Sequence, residues 1–160
     1  FSMEQIGAWA GLPFLFGGLG NVAGGWLSSW LITRGWTVDR ARKAPFKLGS
    51  FCCLGSVAVP LTPSPFYALA LICLASFGIS ACAATWIGIV TDVFPQQVSA
   101  QVTVLAGMNE GLFNMILTLS TGAVIDRYSY LPVLVAAGLL PTLALAALLV
   151  VVGRIERVSV

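Results

Sequence analysis

A single carboxylate, Glu110, stands inside the otherwise uncharged run from Val102 to Ile125, a stretch long enough to cross a bilayer. An ionisable side chain costs on the order of 2.5–3.5 kcal/mol at the centre of a membrane helix. Such groups face a bundle interior or a water-filled path, so Glu110 is a functional candidate by position alone. Projected as a helix, Thr103, Gly107, Glu110, Asn114, Thr118 and Thr121 share one stripe about 80° wide. Leu105, Met108, Leu112, Ile116, Leu119 and Ala123 lie opposite, and Asn109 projects away from the stripe. Glu110 and Asn114, one turn apart, would then bond substrate hydroxyls in a hydrated cavity, with Glu110 also able to exchange a proton. The plainer reading of the same residues is a neutral Glu110 bonded to a neighbouring helix as packing.

Other spans offer fewer polar groups. Asn21 sits among Gly17, Gly18, Gly24 and Gly25 on a face shared with Phe14 and Ser28. Small residues at this spacing let helix backbones approach closely, which leaves Asn21 as the polar candidate there. Trp86 lies about a quarter-turn from Ser76 and Ser80; an indole so placed either stacks on a sugar ring or fills volume. The chain has no histidine, and Cys52, Cys53, Cys73 and Cys82 fall in apolar runs without metal-ligand spacing, so they read as small hydrophobes. No metal or cofactor is expected. No nucleophile–base pair, paired acid or phosphate loop is present, which leaves enzymatic chemistry without a foothold.

The elements that position these residues follow from composition. Of the 160 residues, 58% are hydrophobic and 9% charged, against about 25% charged in a soluble domain. With a mean hydropathy of +0.95, the surface must meet lipid. Five apolar stretches are predicted as membrane helices: Ile6–Thr33, Phe46–Thr62, Phe66–Val90, Val102–Ile125 and Leu131–Val152. Between them fall a charged loop over Gly35–Ala44, the break Pro63-Ser64-Pro65, Phe94-Pro95-Gln96-Gln97, and Asp126–Tyr130. Arg34, Arg40, Arg42, Lys43, Lys47, Arg154 and Arg157 share one side and Arg127 alone the other, so seven of the eight basic residues lie together. The positive-inside rule makes the first loop and the C-terminus cytoplasmic, in a multi-pass protein of the cell (inner) membrane. Tyr128 and Tyr130 sit where an outer aromatic belt is expected. The net charge of +2 gathers on no basic face, which excludes nucleic acid as a partner. The chain opens on Phe1 and has an odd span count, and it reads as a fragment of a longer polypeptide.

The first loop carries the most specific signal. Gly24-Gly25-Trp-Leu-Ser-Ser29-Trp-Leu-Ile-Thr-Arg34-Gly35, followed by Ala41-Arg42-Lys43, resembles the loop motif of the major facilitator superfamily. It is most similar to the copy between helices eight and nine of the anion:cation symporters, the hexuronate and related sugar-acid transporters. Thr91-Asp92-Val93-Phe94-Pro95 and Gly107-Met108 resemble that family's helix ten to eleven region. The resemblance implies an all-α polytopic bundle: residues 1–160 would be helices eight to twelve of a partial C-terminal six-helix half. The N-terminal half of the carrier would be the missing partner and the lipid bilayer the solvent. It also implies alternating access around a midplane site, with a small anionic substrate, such as a hexuronate, and a coupling proton or cation. Trp86, Glu110 and Asn114 correspond approximately to substrate-contacting positions.

Two departures are visible. Ser29 stands where the family loop has Asp, which puts the pairing of helix ends at this latch in question. Glu110 stands near a position that is small in hexuronate carriers, and a carboxylate there would repel a sugar acid unless protonated. The rival expectation is a non-transporting membrane anchor or assembly subunit, with helix faces for a partner and no central cavity.

Overall fold

Proline opens three of the helices and a left-handed glycine closes the first. The computed structural model describes residues 9–127 and 129–152, so Ile6, Tyr128, Arg154 and Arg157 lie outside the described residues. The order is α1 (Leu12–Thr33), α2 (Val38–Leu54) continued by a 3₁₀ turn over Gly55–Leu61, α3 (Pro65–Val93), α4 (Gln96–Arg127) and α5 (Leu131–Ala147), which ends in a π turn over Leu148–Val152. No strand occurs among the described residues. The protein is a polytopic helical bundle. The stretch from α2 to its 3₁₀ turn, and α3, α4 and α5, are long and apolar enough to cross a membrane. At 22 residues α1 has the length, but Asn21, its serines, tryptophans and glycines dilute its hydropathy.

Proline lies in the first turn of α1, α3 and α5, where its missing N–H removes no helical bond. At the other end of α1, Gly35 has φ +86°. Its N–H donates to the Ile32 carbonyl at 3.0 Å, and the Trp36 N–H donates to Leu31 at 3.1 Å. This paired closure needs a residue that tolerates the left-handed region, which accounts for glycine in the Arg34-Gly35 sequence.

One boundary differs from the sequence expectation. The second helix begins at Val38 rather than Phe46, so Arg40, Arg42 and Lys43 lie on its first turns instead of in a loop. Asp39 in the first turn suits the helix dipole and pairs with Lys43 one turn on. Charged residues that read as a loop are therefore good helix formers here. Pro45 lies within α2 and is fully buried.

The core is a set of crossings at which glycine brings backbones together. The α1–α3 interface is the most extensive, followed by α2–α3. A Cβ added at Gly20 would strike the Phe77 backbone, and one at Gly24 would lie 2.6 Å from the Ala81 carbonyl oxygen. Gly49 and Gly78 face each other across α2 and α3, flanked by Cys52, Cys53 and Cys82. The four cysteines are free thiols; Cys53 donates a weak bond to the Ala75 carbonyl and Cys82 to Phe46. Gly138 seats α5 against Ser56 and Val57. Ser50 donates to the Pro141 carbonyl at 3.1 Å and Ser56 to Leu134 at 3.2 Å, which ties α5 to α2 and its 3₁₀ extension. Van der Waals packing and hydrogen bonds of this kind hold helices together where lipid removes the hydrophobic drive.

Candidate functional site

The polar stripe forms on a helix that stands largely apart from the others. No residue in the membrane-length window of α4 is buried, and only thin contacts reach it from α3 and α5. Glu110 and Asn114 are both exposed. Gly107, Gly111 and Gly122 have nothing within 4 Å of where a Cβ would sit. Thr103 donates to the Ser99 carbonyl at 2.8 Å and Thr118 to Asn114 at 2.7 Å, so those hydroxyls are spent on their own helix. Among the described residues, the Glu110 carboxylate and the Asn114 amide have no such local partner.

Trp86 on α3 and Asn21 on α1 are exposed as well. Among the described residues, no hydrogen bond or ring contact joins Glu110, Asn114, Trp86 and Asn21 to one another. Ser80 lies at the α1–α3 contact, where a Cβ added at Gly17 would come 3.1 Å from its hydroxyl.

The loop motif, by contrast, assembles into a bonded cluster. Arg42 on α2 donates from Nε to Asp92 Oδ2 at 2.7 Å and from Nη1 to Ser28 Oγ at 3.0 Å. The Arg42 and Asp92 side chains are 11% and 7% exposed, and Ser28 is fully buried. Gly88, one turn before Asp92, leaves room for the guanidinium; a Cβ there would come within 2.5 Å of Nη1. One planar fork therefore joins α1, α2 and α3 at the end of the bundle that carries the first loop. Gly24 lies one turn from Ser28 and packs on Ala81, while Gly35 makes the turn that returns the chain towards α2. Gly25 has open space around it. Lys43 pairs with Asp39, and the Arg34 guanidinium lies 4.1 Å from the centre of the Trp30 ring.

Sequence reasoning put the pairing of helix ends in question because Ser29 replaces an acid. The structure locates the pairing one residue earlier and on another helix. Ser29 is exposed, whereas Ser28 accepts from Arg42 and Asp92 supplies the charge. Asp92 was visible within Thr91–Pro95 as a lone acid closing a long apolar run. Its partner lies 50 residues away, a separation that helical periodicity cannot reveal.

No family model matches the chain. Individual relatives do. The hexuronate transporter of Escherichia coli K12 is 30% identical over 134 residues, which cover 82% of this chain and 31% of that protein. The probable galactarate/D-glucarate transporter GarP of the same strain is 30% identical over 166 aligned positions, 99% of this chain and 36% of its own length. The D-galactonate transporter of Escherichia coli O6:H1 is 27% identical over 158, covering 92% and 34%. The chain thus spans about a third of the length of the curated relatives it matches. A helical membrane bundle and matches over most of the chain agree: this chain is homologous, at about 30% identity, to proteins named as sugar-acid transporters of the major facilitator superfamily.

Proposed function

We propose that this chain is part of the C-terminal half of a secondary transporter that moves a small organic anion of the sugar-acid class by proton- or cation-coupled symport. The observation that carries the reading is the polar stripe of α4, with Glu110 and Asn114 exposed on a helix otherwise fit for lipid, in a chain whose relatives are named as sugar-acid transporters. A polyhydroxy acid presents hydroxyls to hydrogen-bonding groups and a carboxylate to whatever cation or proton accompanies it. Asn114 offers both a donor and an acceptor to the hydroxyls. Glu110, when protonated, donates one bond and no longer repels the anion; when ionised, it disfavours it. Its protonation state would thus link proton and anion occupancy. Trp86 and Asn21 contribute a stacking surface and a further amide from neighbouring helices.

In this mechanism the crossed unit of α1, α2 and α3 moves as one body during alternating access, against the remainder of the carrier. The clamp of Arg42, Asp92 and Ser28 holds its cytoplasmic end, and the C-terminus lies on that same side. Uptake by the full-length carrier, measured against pH with wild type and Glu110→Gln, tests the reading. We expect a flattened pH profile or an altered preference among sugar acids in the variant. An unchanged profile and preference would reduce Glu110 to packing and end the coupling role.

A further inference from the structure

Three faces of α1 meet different surroundings. Gly20, Gly24 and Ser28 are buried, with the two glycines against the α3 backbone. Gly18, Asn21 and Gly25 form a second, small-residue face, and the two glycines there have nothing within 4 Å. The third face, pointing away from α3, runs Leu15, Leu19, Val22, Trp26, Trp30, Arg34 at helical spacing. All of its apolar members are exposed. The Trp26 and Trp30 rings stack with centroids 6.0 Å apart and planes 24° apart, and Arg34 caps Trp30.

We propose that this third face binds an anionic phospholipid, with Arg34 on the phosphate, the Trp26–Trp30 stack at the glycerol level, and an acyl chain along Val22, Leu19 and Leu15. The proposal rests on the membrane-carrier reading above. Dimensions support it: Trp30 back to Leu19 spans about 16 Å of helix, close to one leaflet of a hydrocarbon core about 30 Å thick. Tryptophan prefers this interfacial depth because its ring is apolar and its N–H polar. Charge supports it too. Arg34 has no acidic partner among the described residues. Stacking on the indole holds its guanidinium in place while leaving in-plane N–H groups to meet phosphate oxygens. The faces of this molecule that meet other helices closely are built on glycine. The stripe has none, and its bulky side chains suit acyl chains rather than a second backbone.

Native mass spectrometry of the full-length carrier, extracted from membranes containing phosphatidylglycerol and phosphatidylethanolamine, tests the proposal. Wild type should retain phosphatidylglycerol in preference, and Arg34→Gln should lower that retention roughly five-fold, the effect of one basic side chain at an anionic surface. Arg127→Gln, a cation at the far end of α4, should leave it unchanged. Brominated lipids in nanodiscs give a second readout. Phosphatidylglycerol should quench tryptophan fluorescence more than phosphatidylcholine does, and the difference should vanish in the Trp26→Phe/Trp30→Phe variant. Equal retention in Arg34→Gln overturns the proposal. So does displacement of the lipid by millimolar inorganic phosphate, which would mark a site for free anions, or an absence of quenching, which would mean that protein covers the stripe. Release of the carrier from membranes by alkaline wash would instead sink the membrane reading. Loss of uptake with lipid still bound would sink only the transport reading.

Discussion

Helices α3 and α4 follow one another in sequence and have nearly equal length, yet they are built on opposite plans. On α3, Gly78 and Gly88 are sites of close contact, Thr85 is fully buried, and Asp92 is bonded to Arg42. On α4, three glycines have nothing within 4 Å of where a Cβ would sit, and both acids, Glu110 and Asp126, are exposed. The same residue types therefore serve structure on one helix and stand exposed on the other. Glycine is a contact residue only where a second backbone arrives, and a carboxylate is structural only where a cation reaches it. Residue type inside a membrane helix does not by itself separate the two uses; the neighbouring helix does.

The sharpest way to break this contrast is at Asp92. Asp92→Ala leaves Arg42 buried without its charge partner and should cost about 3–5 kcal/mol of stability, read as a lower melting temperature of the full-length protein in detergent. Arg42→Lys should recover part of Arg42→Ala, because an ammonium keeps the charge but loses the two-pronged geometry. Next in size, Gly24→Val forces the α1–α3 backbones apart and should destabilise by about 1–3 kcal/mol, checked by the same melt. If Gly24→Val melts like wild type, the close crossing is not what holds the core.

On α4 the expected order reverses, with function moving and stability hardly at all. With native cysteines replaced, Asn114→Cys should react with a membrane-impermeant thiol reagent and Leu112→Cys should not. Equal protection of both would favour the anchor or assembly-subunit reading. Smallest of all, Gly107→Ala should shift the melt by no more than about 1 kcal/mol, and upwards, since alanine stiffens an open helical position. A large loss there would reveal a close neighbour for α4 in the full-length protein.

Much of this was legible in the chain itself. The break Pro63-Ser64-Pro65 and the span starts expected at Phe66 and Leu131 fall within one residue of the helix starts at Pro65 and Leu131, and the loop motif pointed to the sugar-acid transporters that the chain resembles. The start of α2 was not legible, because Asp39-Arg40-Ala41-Arg42-Lys43 is charged enough to read as loop. Its helicity depends on the Asp39–Lys43 pair and on Arg42 having a buried destination. The pairing of Asp92 with Arg42 escaped for a related reason: local periodicity records which face a residue occupies, not which distant side chain will meet it. The stripe of Glu110 and Asn114 could be drawn from sequence alone, while what it faces depends on packing that periodicity does not encode.

The turn at Gly35 limits how the loop end can open. Only Arg34 to Thr37 separate α1 from α2, and two bonds from Gly35 and Trp36 anchor that connector to the last turn of α1. So short a staple fixes the axial register of the two helices, so neither can slide lengthwise past the other. Any separation of Ser28 from Arg42 must come as a tilt about this corner, and the distance gained will grow with depth into the membrane.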